Sequence, residues 1–230
     1  MIGESGLLGV ALGIGLGARH ALEPDHLAAV SVLAADRRGA RRGLVLGALW
    51  GVGHTLSLLA CGLAVAIAAA RIPARLTDLL EFAVAAMLVA LGGRAVLRAV
   101  RKEPSRHASP RGHLHAPVGA AQRLHVARHA LAIRPLLVGA LHGLAGSGAL
   151  VALATASFPT AAARVAFIAL FGFGSIAAMA AISGLAGWPL ARLARSPSAG
   201  RTLLAVAGTT SVVLGVLCTW SSVLRLLQWR

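Results

Sequence analysis

The stretch Leu7–Ala35, LLGVALGIGLGARHALEPDHLAAVSVLAA, decides the fold. It is longer than the ~20 residues that cross the hydrocarbon core of a bilayer as a helix. Both of its ends are apolar. Its middle nevertheless holds Arg19, His20, Glu23, Pro24, Asp25 and His26. Ionisable groups at that depth are expensive, so a membrane span that keeps them is using them.

The rest of the chain is written in the same way. Of 230 residues, 57% are hydrophobic, 13% charged and 4% aromatic, and the mean hydropathy is +0.79. A soluble domain carries roughly 25% charged residues. This composition excludes an ordinary cytosolic enzyme and a disordered tail. The net charge of +15 could suggest nucleic acid as a partner, but the basic residues fall between long apolar stretches, so the partner they indicate is a lipid bilayer. Only Lys102 among the basic residues is lysine, an arginine bias that suits a GC-rich bacterial genome. Cys61 and Cys218 lie in separate apolar stretches and read as small apolar packers rather than a disulfide.

Six apolar segments are expected to span: Leu7–Ala35, Leu44–Ala70, Leu79–Val100, Pro135–Thr155, Ala161–Gly187 and Thr202–Leu227. No cleavable signal peptide or lipidation signal is read at the N-terminus. Arginine crowds the first, third and fifth connections, with Arg37, Arg38, Arg41 and Arg42, then Arg101 through Arg134, then Arg192, Arg195 and Arg201. The positive-inside rule puts those connections in the cytoplasm and both termini outside.

The halves resemble each other. RHALEPDHLAAV from Arg19 lies on LHGLAGSGALVA from Leu141, and GALWGVGHTLSL (Gly47–Leu58) lies on IALFGFGSIAAM (Ile168–Met179). A repeat of three spans must invert in the membrane, which is a transporter architecture. The expected fold is an all-α integral membrane protein of six transmembrane helices in two inverted three-helix repeats. Residues 1–100 form one repeat, 135–230 the other, and 101–134 a basic, His-containing cytoplasmic loop. The first helix of each repeat should be broken or unwound, at Pro24 in one and at Gly146-Ser147-Gly148 in the other.

His20, Glu23, Asp25 and His26 bring two imidazoles and two carboxylates into seven residues. Imidazole suits Ni, Co, Cu and Zn, and carboxylates offset the charge of a dication. On an unbroken helix Asp25 would point about 140° from His20, and His26 about 120° the other way. One ion could not meet them all. Pro24 removes a backbone donor and clashes with the preceding turn, so the segment can unwind and turn these groups inward. His54, in Trp50-Gly-Val-Gly-His54-Thr55, reads alone as a packing histidine and beside this cluster as a ligand. His142, over His20 in the repeat, stays open between a pathway or ligand-supporting residue and plain packing. Ser147 and Ser175 could line a path or join helices. His113 and His115 could capture a metal, although their arginine-rich surroundings favour a solvated loop.

These residues resemble the nickel/cobalt transporter superfamily. Its signature is a His, four residues, then Asp-His, with an acidic residue in the gap. Here it reads His20-Ala-Leu-Glu-Pro-Asp25-His26, with Glu23 where Asp is more usual. Its second motif, Gly-His-Ser/Thr, matches Gly53-His54-Thr55. The short six-span chain looks most like the urease-accessory branch and lacks the extra leading span of longer members. The resemblance implies handling of Ni²⁺ or Co²⁺ by His20, Asp25, His26 and His54, and a link to urease or hydrogenase maturation.

The expected function is a secondary transporter of Ni²⁺ or Co²⁺ in the bacterial cytoplasmic membrane, working in the uptake direction. The metal is cargo, and no cofactor or catalysis is expected. No G-x-x-x-x-G-K-[ST] motif is present. The alternatives are an intramembrane metal-dependent hydrolase, against which the missing H-E-x-x-H counts, and a related exporter of a metal or another small solute.

Overall fold

The computed structural model describes residues 4–36, 39–68, 73–101, 120–193 and 196–228, and among them every regular element is an α-helix. In chain order these are α1 (Glu4–His20), α2 (Pro24–Asp36), α3 (Ala40–Ala68), α4 (Ala74–Val100), α5 (Ala120–Ser157), α6 (Ala161–Leu193) and α7 (Pro197–Gln228). Among the described residues, four helical stretches are long and apolar enough to cross a membrane: Ala40–Val65, Ala74–Val100, Ala161–Pro189 and Ser198–Trp220. Ile133–Gly146 in α5 is a shorter apolar stretch. Leu56, Leu63, Phe173, Leu185 and Leu217 are all exposed. Such a surface is a liability in water and an ordinary solvated face in lipid.

The break in the first segment falls where proline puts it. The regular ladder ends at Ala21 N to Gly17 O, 3.2 Å. The next two amides bond three residues back, Leu22 N to Arg19 O at 2.9 Å and Glu23 N to His20 O at 3.0 Å. The ladder restarts with Leu27 N to Glu23 O at 3.0 Å. Residue 24 has no amide hydrogen to give to the His20 carbonyl, and that carbonyl is taken one residue early.

The second half does not break. Helix α5 runs unbroken through Gly146-Ser147-Gly148, which corrects the expectation of an unwound segment there. Glycine weakens a helix by about 1 kcal/mol, but it keeps its amide hydrogen, so the ladder survives in a packed bundle. Helix α5 also begins at Ala120 and carries Pro135 in its interior, so the last part of the expected loop 101–134 is helical. Residues 120–134 are rich in Ala, Leu and Arg, strong helix formers whatever their polarity. His113 and His115 lie outside the described residues.

Packing depends on glycines at crossing points. Helix α3 packs against α5 and α6, α4 against α7, α1 against α6 and α2 against α7. A Cβ at Gly17 would collide with the Phe171 carbonyl, and one at Gly139 with the Trp50 carbonyl. A Cβ at Gly53 would strike the Leu136 carbonyl, and one at Gly174 the Ile14 carbonyl. In each pair of clashes the second is the first with the halves exchanged. Small residues at these points let the backbones approach within lipid, where helices gain little from hydrophobic driving force. Buried hydroxyls reinforce the contacts: Ser175 Oγ donates to Gly17 O at 3.0 Å and Ser211 Oγ to Leu88 O at 2.9 Å. A buried cluster including Ala28, Ala29, Trp50, Leu88 and Met179 fills the middle of the bundle.

Candidate metal centre

The break at residues 21–23 places two helix ends together. His20 closes α1, and Asp25 stands in the first turn of α2. A carboxylate is favoured at a helix N-terminus and a cation at a C-terminus, so both ends suit the groups they carry. His54 comes from the middle of α3 and His142 from α5.

The imidazoles converge. Ring centroids are 4.5 Å apart for His20 and His26, 5.2 Å for His20 and His54, and 5.3 Å for His26 and His54. His26 and His142 are 4.1 Å apart. Ligand atoms of His20, His26 and His54 lie within 4.8 Å of one another, as do those of Asp25, His26 and His142. With metal–nitrogen bonds of ~2.0–2.1 Å, two imidazole nitrogens on one tetrahedral ion sit roughly 3.4 Å apart. Either group therefore needs only small side-chain movements to close on an ion.

Two carboxylates hold the rings. Glu23 Oε2 lies 3.0 Å from His20 Nδ1. Asp25 spans two histidines, with Oδ1 at 3.2 Å from His26 Nδ1 and Oδ2 at 2.7 Å from His142 Nε2. A carboxylate on one ring nitrogen fixes ring orientation and leaves the other nitrogen for a metal. The nitrogens left over are deeply buried. His26 Nε2, His54 Nδ1 and Nε2, His142 Nδ1 and Trp50 Nε1 have no protein hydrogen-bond partner among the described residues. Leaving a buried polar atom unsatisfied costs ~1–3 kcal/mol, so four such imidazole nitrogens in one place demand an explanation. An ion is the simplest partner that several convergent imidazole lone pairs can share.

A cavity of about 290 Å³ opens on this cluster. His20, Glu23, Asp25, His26 and His142 line it, together with Glu81, Val84, Ala85 and Leu88 of α4 and Cys218 of α7. His54 is fully buried, close to the His20 and His26 rings, and does not line the cavity. Of the residues singled out in the sequence, His20, Asp25, His26 and His54 come together, and Asp25 joins His142 to them. Glu23 is outside both ligand-atom groups and supports His20. Ser175 is a helix–helix bond to α1, and Pro24 marks the break. The side chain of Ser147 lies outside the described residues. Sequence reasoning passed over Glu81, although an acid inside an apolar span was signal enough. It also read Cys218 as a packer, where the structure puts it on the cavity wall.

No protein-family model matches the chain, and no solved structure matches it. It is 31% identical over 207 residues to the urease accessory protein UreH of Bacillus sp. (strain TB-90), covering 90% of this chain and 88% of that protein. The chain belongs to the UreH-like branch of the nickel/cobalt transporter superfamily. Coverage is near-complete in both directions, so membership rests on the whole chain and not on one motif. For a UreH-like protein the apolar helices are those of a membrane protein.

Proposed function

We propose that this protein is a secondary transporter that carries Ni²⁺ or Co²⁺ into the cell across the bacterial cytoplasmic membrane, with His20, Asp25, His26 and His54 as the residues that hold the ion. The observation that carries the proposal is the set of buried imidazole nitrogens that converge without partners. The urease-accessory relative supports a nickel supply to urease maturation as the physiological setting.

The proposed architecture has six spans in two inverted repeats, residues 1–100 and 135–230, joined by the basic segment 101–134. Helices α1 and α2 together make the first span. The exchange-related contacts support the repeat: Gly17 on Phe171 mirrors Gly139 on Trp50, and Gly53 on Leu136 mirrors Gly174 on Ile14. Arginine-rich connections face the cytoplasm and both termini lie outside. Arg192 stacks 3.8 Å over the Trp188 ring, an interfacial arrangement that suits the cytoplasmic end of α6. An inward-negative potential contributes ~2.3 kcal/mol per charge per 100 mV, or roughly 4.6 kcal/mol for a dication, so uptake needs no nucleotide.

The test is ⁶³Ni²⁺ uptake into proteoliposomes holding the purified protein, with and without an imposed inside-negative potential. Uptake that rises with the potential and disappears in His26→Ala is the expected result. Vesicles that take up no more Ni²⁺ or Co²⁺ than protein-free controls at any potential or pH gradient would refute it.

A further inference from the structure

The buried ligand atoms form two overlapping groups. His20, His26 and His54 make the first, and Asp25, His26 and His142 the second, each set within 4.8 Å. His26 belongs to both. The ring spacings divide the same way: His142 is 4.1 Å from His26 but 6.3 Å from His54.

The second group is built into the bundle as firmly as the first. Asp25 reaches His26 at 3.2 Å and His142 at 2.7 Å, and both histidines are buried. The buried Trp50 ring packs beside them, with centroids 5.5 Å from His26 and 5.8 Å from His142. A Cβ at Gly143 would collide with the His54 carbonyl and with Ser57 Oγ, so α5 presses on α3 one residue past His142. His26 Nε2 and His142 Nδ1 have no protein partner among the described residues. A neutral imidazole keeps its one proton on either nitrogen. Each ring can therefore turn a bare nitrogen toward Asp25 without a change of charge.

The groups differ in chemistry and in access. The first offers three imidazoles, with Glu23 behind His20 at 3.0 Å. The second sets a carboxylate directly against the ion, which offsets part of a dication's charge away from water. Asp25, His26 and His142 all line the 290 Å³ cavity, whereas His54 does not. An ion in the cavity meets the whole second group there and must pass the cavity wall to gain His54.

We infer that Asp25, His26 and His142 form a second position for a divalent transition-metal cation. The ion moves between the positions by exchanging Asp25 and His142 for His20 and His54, with His26 serving each in turn. The inference rests on the metal-transport reading and adds to it a ligand, His142, from the other half of the chain. A neutral imidazole has one nitrogen lone pair to give, so the two positions fill alternately and the chain holds one ion.

The experiment uses the full-length protein. Isothermal titration in detergent measures Ni²⁺ and Co²⁺ binding, X-ray absorption counts the imidazoles around bound Co²⁺, and proteoliposomes report ⁶³Ni²⁺ uptake. The wild type should bind one ion per chain, with three imidazoles. His20→Gln/His54→Leu should still bind one ion, ~10- to 100-fold more weakly, with two imidazoles, and adding His142→Gln should remove it. Alone, His142→Gln keeps an amide that can donate to Asp25. It should weaken binding no more than about threefold, because the first position remains, yet slow uptake by about 10-fold or more. Four imidazoles in the wild type would mean one composite centre and overturn the second position, whatever the variants do. So would a His20→Gln/His54→Leu protein, folded by its metal-free thermal unfolding, that binds no metal or whose residual binding ignores His142→Gln. The transport reading survives those results. A wild type that binds neither metal sinks both.

Discussion

Replacing His54 with leucine separates a ligand from a packing residue, because the two roles predict opposite signs. His54 is fully buried and neither ring nitrogen has a protein partner among the described residues. Wherever no water or ion reaches them, such nitrogens cost ~1–3 kcal/mol each, less whatever relaxation recovers. Leucine is close in volume and has no polar atom. His54→Leu should therefore leave the metal-free protein unchanged in stability, or raise it by about 1 kcal/mol. The same change should weaken metal binding by ~10-fold or more, as loss of a ligand or of its orienting support does.

Ligand-induced stabilisation turns this into a measurement. At a metal concentration of 100 times the wild-type Kd, binding adds ~2.7 kcal/mol, and a tenfold loss of affinity leaves about 1.4 kcal/mol. Each kcal/mol moves Tm by ~2–4 °C in a chain of this size. Thermal unfolding in detergent, with and without Ni²⁺, should show the metal-induced rise cut by about half or more, from a metal-free Tm that has not fallen. A metal-free Tm several degrees lower, with the metal-induced rise intact, would refute the reasoning. His54 would then be a core residue, and the unpartnered nitrogens would need another explanation.

Three further outcomes are expected. Pro24→Ala supplies the missing amide, so the ladder can close from residue 24 to His20. Isothermal titration should then show weaker metal binding with every ligand still present, whereas Asp25→Asn should weaken binding with the break retained. Replacing His113 and His115 together with alanine should change the apparent affinity of uptake less than threefold; abolished ⁶³Ni²⁺ uptake would place an essential site in that loop. Cysteines introduced in the first, third and fifth connections of a cysteine-free background should resist an impermeant thiol reagent in intact spheroplasts, while cysteines at the termini should react.

How much of this could be read from the sequence depended on whether a signal was local. The span holding His20, Asp25 and His26 was legible because ionisable groups in an apolar run stand out, and the break at Pro24 because proline lacks a donor. The pairing of Asp25 with His142 crosses 117 residues. His142 has no acidic neighbour of its own, so only the alignment of the halves placed it over His20. Gly146 and Gly148 misled for the converse reason. Glycine permits an unwound segment, but tertiary packing decides whether one forms, and here it keeps the helix.

The contrast between the halves has a physical meaning. Two of their glycine crossings correspond, Gly17 with Gly139 and Gly53 with Gly174, while their chemistry does not. Where the first half has His54, with both nitrogens unpartnered, the second has Ser175, whose hydroxyl is spent on the Gly17 carbonyl. Where the first half breaks at proline, the second stays helical and contributes His142 from an intact α5. On the proposed repeat, matched contacts let either half rock against the other at similar cost, which alternating access requires. Unmatched chemistry keeps the proposed ligands in one cluster near the α1–α2 break instead of two competing ones. A second broken helix would add backbone groups to satisfy at membrane depth without adding a ligand. The continuity of α5 is therefore the economical arrangement, and it gives Asp25 a rigid partner in His142 across the interface on which the halves would move.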